Sequence, residues 1–278
     1  NAQNLSKNFY NFDSRLPFIK RFLKRNQITI RAVQDISFTI KRGSIVGFIG
    51  SNGAGKSTTI KMLTGTLYPS SGKLEVNGEI PFKRSINFRK KISIVVGNKL
   101  QLFQDVSAMD YFQLIGTLYE VEPAILQERI QELSNLLNVK DQLYQQVRTL
   151  SLGQKMKMEF IAASLTSPEI LFLDEPTIGL DIQSKKDIRT FLKKMNEECH
   201  TTIILTSHDM DDISSVCDEL IVIDKGKIIL QESMDVILSK FSDFKYLKIK
   251  MTLDLVPELC SVKGVVVISQ TKSECILK

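Results

Sequence analysis

Short apolar runs alternate along this chain with longer stretches in which apolar residues return at helical spacing. The runs "SIVGFIG", "KISIVVG", "EILFLDE", "TTIILTSH" and "ELIVIDKGKII" are bounded by Gly, Asp or Ser, as strands buried on both faces are. Strands of this kind separated by helical segments predict an α/β fold with a parallel sheet. Between about residues 100 and 165 the pattern turns helical, in "YFQLIGTLYE", "PAILQERIQELSNLLNV" and "GQKMKMEFIAASL". In the middle segment Pro123 suits a first helical turn, and Ile125, Ile130, Leu133, Leu136 and Leu137 form its apolar stripe. A helical block therefore interrupts the sheet.

Beyond residue 235 the pattern changes again. In "KYLKIKM" Leu247, Ile249 and Met251 alternate with lysines, and "GVVVIS" follows, so 236–278 reads as a small α+β accessory segment after a main domain over 1–235. The chain starts at Asn1 without methionine and stops in a strand-like run, so the expectation is a trimmed chain with a truncated C-terminal segment.

Composition adds limits more than identity. With 278 residues, 43% of them hydrophobic and 24% charged, the chain supports a sizeable core and is neither disordered nor fibrous. Cys199, Cys217, Cys260 and Cys275 lie far apart with no C-x-x-C pair, which predicts reduced thiols and no zinc site. No apolar run approaches the roughly 18 residues that span a bilayer. The net charge of +6 is mild but uneven. Arg15, Lys20, Arg21, Lys24, Arg25 and Arg31 share a stretch with no acid after Asp13, and Ile19, Phe22 and Leu23 are spaced helically among them. That stretch suits either a helix facing a membrane or membrane protein, or a solvated insertion.

The chemistry begins at "GSNGAGKST", residues 50–58, which satisfies G-x-x-x-x-G-K-[ST] directly after a predicted strand. Glycines let the backbone curl until successive N–H groups of Ser51, Asn52, Gly53, Ala54 and Gly55 face a polyphosphate, and the next helix presents its positive end. Lys56 reaches the β- and γ-phosphates, and the hydroxyl of Ser57, with Thr58 beside it, suits Mg²⁺. "EILFLDE" ends in two carboxylates, Asp174 for the metal shell and Glu175 to polarise an attacking water. His208 closes the next strand, in the region where α/β folds bind ligands. "NKLQ" at 98–101 begins like a guanine-reading N-K-x-D, but Gln101 replaces its aspartate and disfavours a GTPase.

In order and spacing these motifs, with "LSLGQ" at 150–154 and "IGLD" at 178–181, resemble the ATP-binding subunit of an ABC transporter over about residues 1–231. "LSLGQKMKME" and "FLDEPTIGLD" are similar to multidrug or daunorubicin-resistance-type exporter ATPases, whose permeases are separate chains. The resemblance implies a P-loop NTPase (RecA-like) core with an antiparallel β subdomain and an inserted helical subdomain. It implies an ATPase with ATP and Mg²⁺, peripheral on the cytoplasmic face of the membrane, working with transmembrane permease subunits and with no nucleic acid. A homodimer or heterodimer of such subunits would sandwich ATP head to tail. Ser151, Gly153 and Gln154 would then face the partner's nucleotide, Asp181 would lie at the dimer seam, and His208 would touch the γ-phosphate. A soluble ABC ATPase of ribosomes or DNA is the rival, disfavoured by the single cassette and the compact helical block.

Three positions depart from the family pattern. In "LSKNFY" either Phe9 or Tyr10 takes the place of the adenine-stacking aromatic. Asn98 falls where a glutamine normally touches Mg²⁺ and the attacking water, with Gln101 and Gln104 near enough to substitute. Leu152 stands where the first glycine of L-S-G-G-Q belongs, and is expected to turn from the nucleotide toward the core or the partner, leaving Ser151 and Gly153 as the phosphate-facing pair.

Overall fold

The computed structural model describes residues 1–12, 27–97, 99–242, 247–250, 267–270 and 274–277. The basic stretch up to Arg25 and Asn98 lie outside them. The chain divides into two compact units, Asn1–Glu232 and Ser233–Lys278.

In the first unit, strands β1 (Ala2–Phe12), β2 (Gln27–Phe38) and β4 (Ser71–Leu74) form an antiparallel sheet in the order β2-β1-β4. A six-stranded sheet has the order β5-β6-β7-β3-β8-β9, from β3 (Ile45–Ile49), β5 (Ile92–Val96), β6 (Ile170–Asp174), β7 (Thr202–Thr206), β8 (Glu219–Asp224) and β9 (Lys227–Ser233). The pairings β5–β6, β6–β7, β7–β3 and β3–β8 are all parallel. Every residue of β7 is buried, and so are four of five in β3 and β6, which is why these strands read as unbroken apolar runs.

One core cluster joins the two sheets. Leu5, Val33, Ile36 and Phe38 of the antiparallel sheet pack with Val46, Phe48, Phe172, Ile204 and Ile221 of the parallel one, and with Ile60, Met62 and Leu63 of helix α1 (Lys56–Leu63). Burying side chains of this size contributes about 1.5–3 kcal/mol apiece before chain entropy is counted.

After the short helix α2 (Ile86–Lys91), the helical block contains α3 (Ala108–Leu118), α4 (Pro123–Leu136) and α5 (Leu152–Ser164). In α4 the buried stripe is Leu126, Ile130 and Leu133, whereas Ile125 is exposed, so the stripe sits one position from the expected start. Helix α6 (Ile182–Cys199) returns against α5, where Phe160 and Phe191 meet edge to face at 5.6 Å. Helix α7 (Met210–Val216) follows β7.

The second unit holds helix α8 (Met234–Ser242) and an antiparallel sheet in the order β10-β12-β11, from β10 (Leu247–Lys250), β11 (Val267–Gln270) and β12 (Glu274–Leu277).

Candidate functional site

The site lies at the carboxyl ends of the parallel strands, where an α/β sheet opens a crevice. Between β3 and α1, residues Gly50 to Ser57 curl tightly, with Gly53 at φ 80° and Gly55 at φ 111°, a region that disfavours side chains. Space demands glycine as well, because a Cβ on Gly55 would stand 2.6 Å from the Ala32 carbonyl of β2. The loop bounds a cleft of about 650 Å³ with Gly50–Thr58, Glu175, Ile178 and His208 on its walls.

Lys56 is buried and its ammonium donates to the Gly50 carbonyl at 2.7 Å, with Glu175 Oε1 at 3.7 Å. Ser57 Oγ donates to Asp174 Oδ1 at 2.9 Å, and Thr206 Oγ1 donates to the same oxygen at 2.7 Å. A hydroxyl beside a carboxylate is the hard oxygen pair that suits Mg²⁺ when phosphate completes its shell. Glu175 has φ 52°, a left-handed backbone unusual for a side chain with a Cβ and a strain typical of functional positions. Its N–H donates to Thr206 Oγ1 at 3.0 Å, and its Oε2 lies 2.6 Å from His208 Nδ1.

Ion pairs behind the cleft hold these pieces. Asp212 of α7 is buried, accepts from Arg189 Nε of α6 at 2.7 Å and from the Thr177 hydroxyl, and so ties the segment after Glu175 to the helix after His208. Asp209 caps α7, and its hydrogen bond with Lys185 holds its carboxyl below the usual range. The buried pair Lys157–Asp187, at 2.6 Å, joins α5 to α6. None of these contacts was legible in the sequence, since the partners lie 23 to 35 residues apart with no motif spacing between them.

The LSLGQ segment forms the start of α5. Ser151 is the N-cap: its Oγ accepts from Gln154 N–H at 3.2 Å, while Gln154 Oε1 accepts from Ser151 N–H at 2.9 Å. The Gln154 amide is thus engaged on its own helix. Gly153 is buried against Asp181 and Ser184 at the start of α6, where a Cβ would collide with Ser184 Oγ, so it faces inward. Asp181 caps α6 by accepting from Ser184 N–H at 2.8 Å and Ser184 Oγ at 2.7 Å, bonds that lower its pKa. Leu152 is 46% exposed, outside the core, with Gly179 beside its Cδ2.

Other expected residues lie elsewhere. Phe9 and Tyr10 are exposed on β1, Lys7 sits 5.3 Å from the Phe9 ring centroid, and neither aromatic lines the cleft around Lys56. Gln101 donates its side-chain amide to the Ile94 carbonyl at 2.8 Å and lines a different groove. Among the described residues no cluster of three or more His, Cys, Asp or Glu could hold a metal by itself, and no helix is long and apolar enough to cross a membrane.

A phosphate-cradling loop, a hydroxyl–carboxylate pair and a glutamate just past the end of β6 define an ATPase of the P-loop class. Comparison with known proteins then narrows the class. Residues 33–178 match the family described as ABC transporter. The ABC transporter ATP-binding protein NatA of Bacillus subtilis is 32% identical over 78% of this chain and 87% of its own length. The linearmycin resistance ATP-binding protein LnrL, also of Bacillus subtilis, is 34% identical over 71% of this chain and 63% of its own. Among solved structures, cbiO1 of Clostridium perfringens, part of the ABC transporter complex cbiONQ, superposes with TM-score 0.68 at 26% identity, covering 86% of this chain and 92% of cbiO1. The chain belongs to the ABC transporter family, as an ATP-binding subunit with ATPase activity.

Proposed function

We propose that this chain is the MgATP-hydrolysing subunit of an exporter, peripheral on the cytoplasmic face of the membrane, and that two such subunits close head to tail over ATP to drive transmembrane permease subunits. The observation that carries the catalytic half is the convergence of Lys56, Glu175 and His208 on one cleft. Lys56, drawn from the Gly50 carbonyl, binds the β- and γ-phosphate oxygens of ATP, and the Gly53–Ser57 backbone encloses the rest of the polyphosphate. Glu175 accepts a proton from the attacking water as the γ-phosphate departs. His208 exchanges its contact with Glu175 for one with the γ-phosphate and so reports which nucleotide is bound. Ser57 and Asp174 hold Mg²⁺, which supplies charge neutralisation on the phosphate oxygens when bound.

The dimer is supported by what α5 and α6 expose. The N-terminal end of α5 is exposed at Ser151, whose hydroxyl hydrogen can donate to an anion, and Leu152, Ile178 and Ile182 also stand exposed, Ile182 by 88%. Tyr10, 61% exposed, and Phe9 remain free to stack on adenine, on a hairpin that reaches the phosphate loop at Ala32 and Gly55. Export is supported by the name of LnrL, a resistance protein. The test is to purify the tagged chain from detergent-solubilised membranes and identify its companions. Integral membrane permeases are expected, and ribosomal proteins in their place would overturn the transport reading.

A further inference from the structure

Helices α5 and α6 run side by side from neighbouring N-termini, and three successive contacts hold them together. Gly153 lies against Ser184, Lys157 Nζ donates to Asp187 Oδ2 at 2.6 Å, and Phe160 meets Phe191 edge to face at 5.6 Å. Steps of three or four residues along each helix keep these partners on one face. Asp187 is bonded at its other oxygen as well, since Oδ1 accepts from Gln183 Nε2 at 2.7 Å. The middle contact is thus a buried ammonium against a buried carboxylate, Lys157 7% and Asp187 9% exposed.

The outer contacts leave the register of the helices loose. The contact at Gly153 limits only how closely they approach, and an aromatic pair is satisfied over centroid distances of roughly 4.5–7 Å. A charge-assisted hydrogen bond has a direction and tolerates only a few tenths of an ångström. Stability is not what such a pair supplies, because apolar side chains of matching volume fill a buried site as well or better. Fixing registry is the best-attested use of buried polar and ionic groups. Here the register concerns two residues less than two turns away, Ser151 capping α5 and Asp181 capping α6. The hydrogen bonds from Ser184 lower the pKa of Asp181, and the Lys157 charge adds to them.

We propose that the Lys157–Asp187 pair is a positioning element for the ATP sandwich: it locks the LSLGQ start of α5 in register with the Asp181 start of α6, so that both meet a second copy of this chain as one rigid edge. This rests on the head-to-tail dimer set out under Proposed function. A second subunit binds only the aligned arrangement, so apparent affinity falls with the fraction of molecules in register. With one molecule in ten aligned, dimerisation needs about ten times more protein. ATP binding to a single chain is unaffected, because neither residue lines the cleft around Lys56.

The test uses the whole chain carrying Glu175→Gln in saturating MgATP and reads the protein concentration at half-dimerisation. Adding Lys157→Met/Asp187→Leu should raise that concentration about tenfold or more, while the melting temperature does not fall and a single chain binds a fluorescent ATP analogue as before. Lys157→Arg keeps the charge and the donor and should stay within about threefold. With Glu175 restored, the ATPase rate per chain of the apolar variant should climb toward wild type as protein concentration rises. An apolar variant that dimerises like its background overturns the proposal. So does a loss that Lys157→Arg shares, one that comes with an equal loss of ATP affinity, or a rate that stays low at every concentration. If the apolar variant does not fold, Lys157→Met/Asp187→Asn keeps the acceptor for Gln183 and buries no charge. It should shift half-dimerisation the same way, and an unshifted value overturns the proposal. A Glu175→Gln background that stays monomeric in MgATP would instead defeat the head-to-tail dimer, so the two failures are distinct.

Discussion

Gly153 lies against Ser184 so closely that the hydrogen of the glycine is the only side chain its position admits. Ser184 in turn holds the Asp181 cap, so the start of α5 and the start of α6 are one packed unit. Gly153→Ala should therefore destabilise the fold by about 1–3 kcal/mol, the usual range for overpacking. Removing the colliding oxygen in Gly153→Ala/Ser184→Ala should recover part of that loss, because the Ser184 Cβ is 3.1 Å from the added methyl position. Denaturant melts of the two single variants and the double variant check this, and simple additivity would contradict it.

His208 contacts Glu175 through Nδ1 and no other described residue holds the glutamate side chain except Lys56, at a longer distance. His208→Ala should lower kcat by about 10²-fold with a smaller loss of ATP affinity, the size of effect expected for a group whose contact passes from the general base to the γ-phosphate as ATP binds. Steady-state kinetics and equilibrium binding of a fluorescent ATP analogue separate the two quantities.

Asp212 offers the contrast of a residue that never touches the cleft. Its carboxylate has 2% of its surface exposed and holds Arg189, itself 26% exposed. Asp212→Ala should cost about 3 kcal/mol, the low end for breaking a buried pair, since Arg189 can still reach water. A thermal melt reads the loss, and a variant as stable as the wild type would contradict the packing described.

Leu152 is one of the departures from the family pattern, yet its side chain is half in solvent and fills no core position. Leu152→Gly should keep ATPase activity within about threefold and change stability by about 1 kcal/mol or less, as for a glycine in a first helical turn. Loss of activity would show that this leucine belongs to the site itself.

These residues also show what the sequence made legible. The phosphate loop was readable because its glycines answer a local demand, a curled backbone between strand and helix, and Lys56, Ser57, Asp174, Glu175 and His208 do converge. Gly153 was visible as a needed glycine, but the reason for it, Ser184 on another helix, was not. Gln154 carries a capping-box pattern with Ser151 that sequence alone could have suggested. Spacing puts Ile125 on the buried stripe, but Leu126, one position on, shares the buried face of Ile130 and Leu133 and Ile125 lies outside it. Asp187 and Asp212 gave no signal at all, since a buried acid looks like any other acid until its partners on distant elements are known.

The central claim is that Glu175 activates water in a site completed by a second subunit, and Glu175→Gln tests it most directly. The amide keeps the shape and hydrogen-bonding reach of the side chain but removes the base. With MgATP this variant should elute as a dimer of the 31.5 kDa chain with ATP retained and hydrolysis reduced by at least about 10²-fold, while ADP leaves it monomeric. A variant that stays monomeric with MgATP, or that hydrolyses at the wild-type rate, would contradict the account.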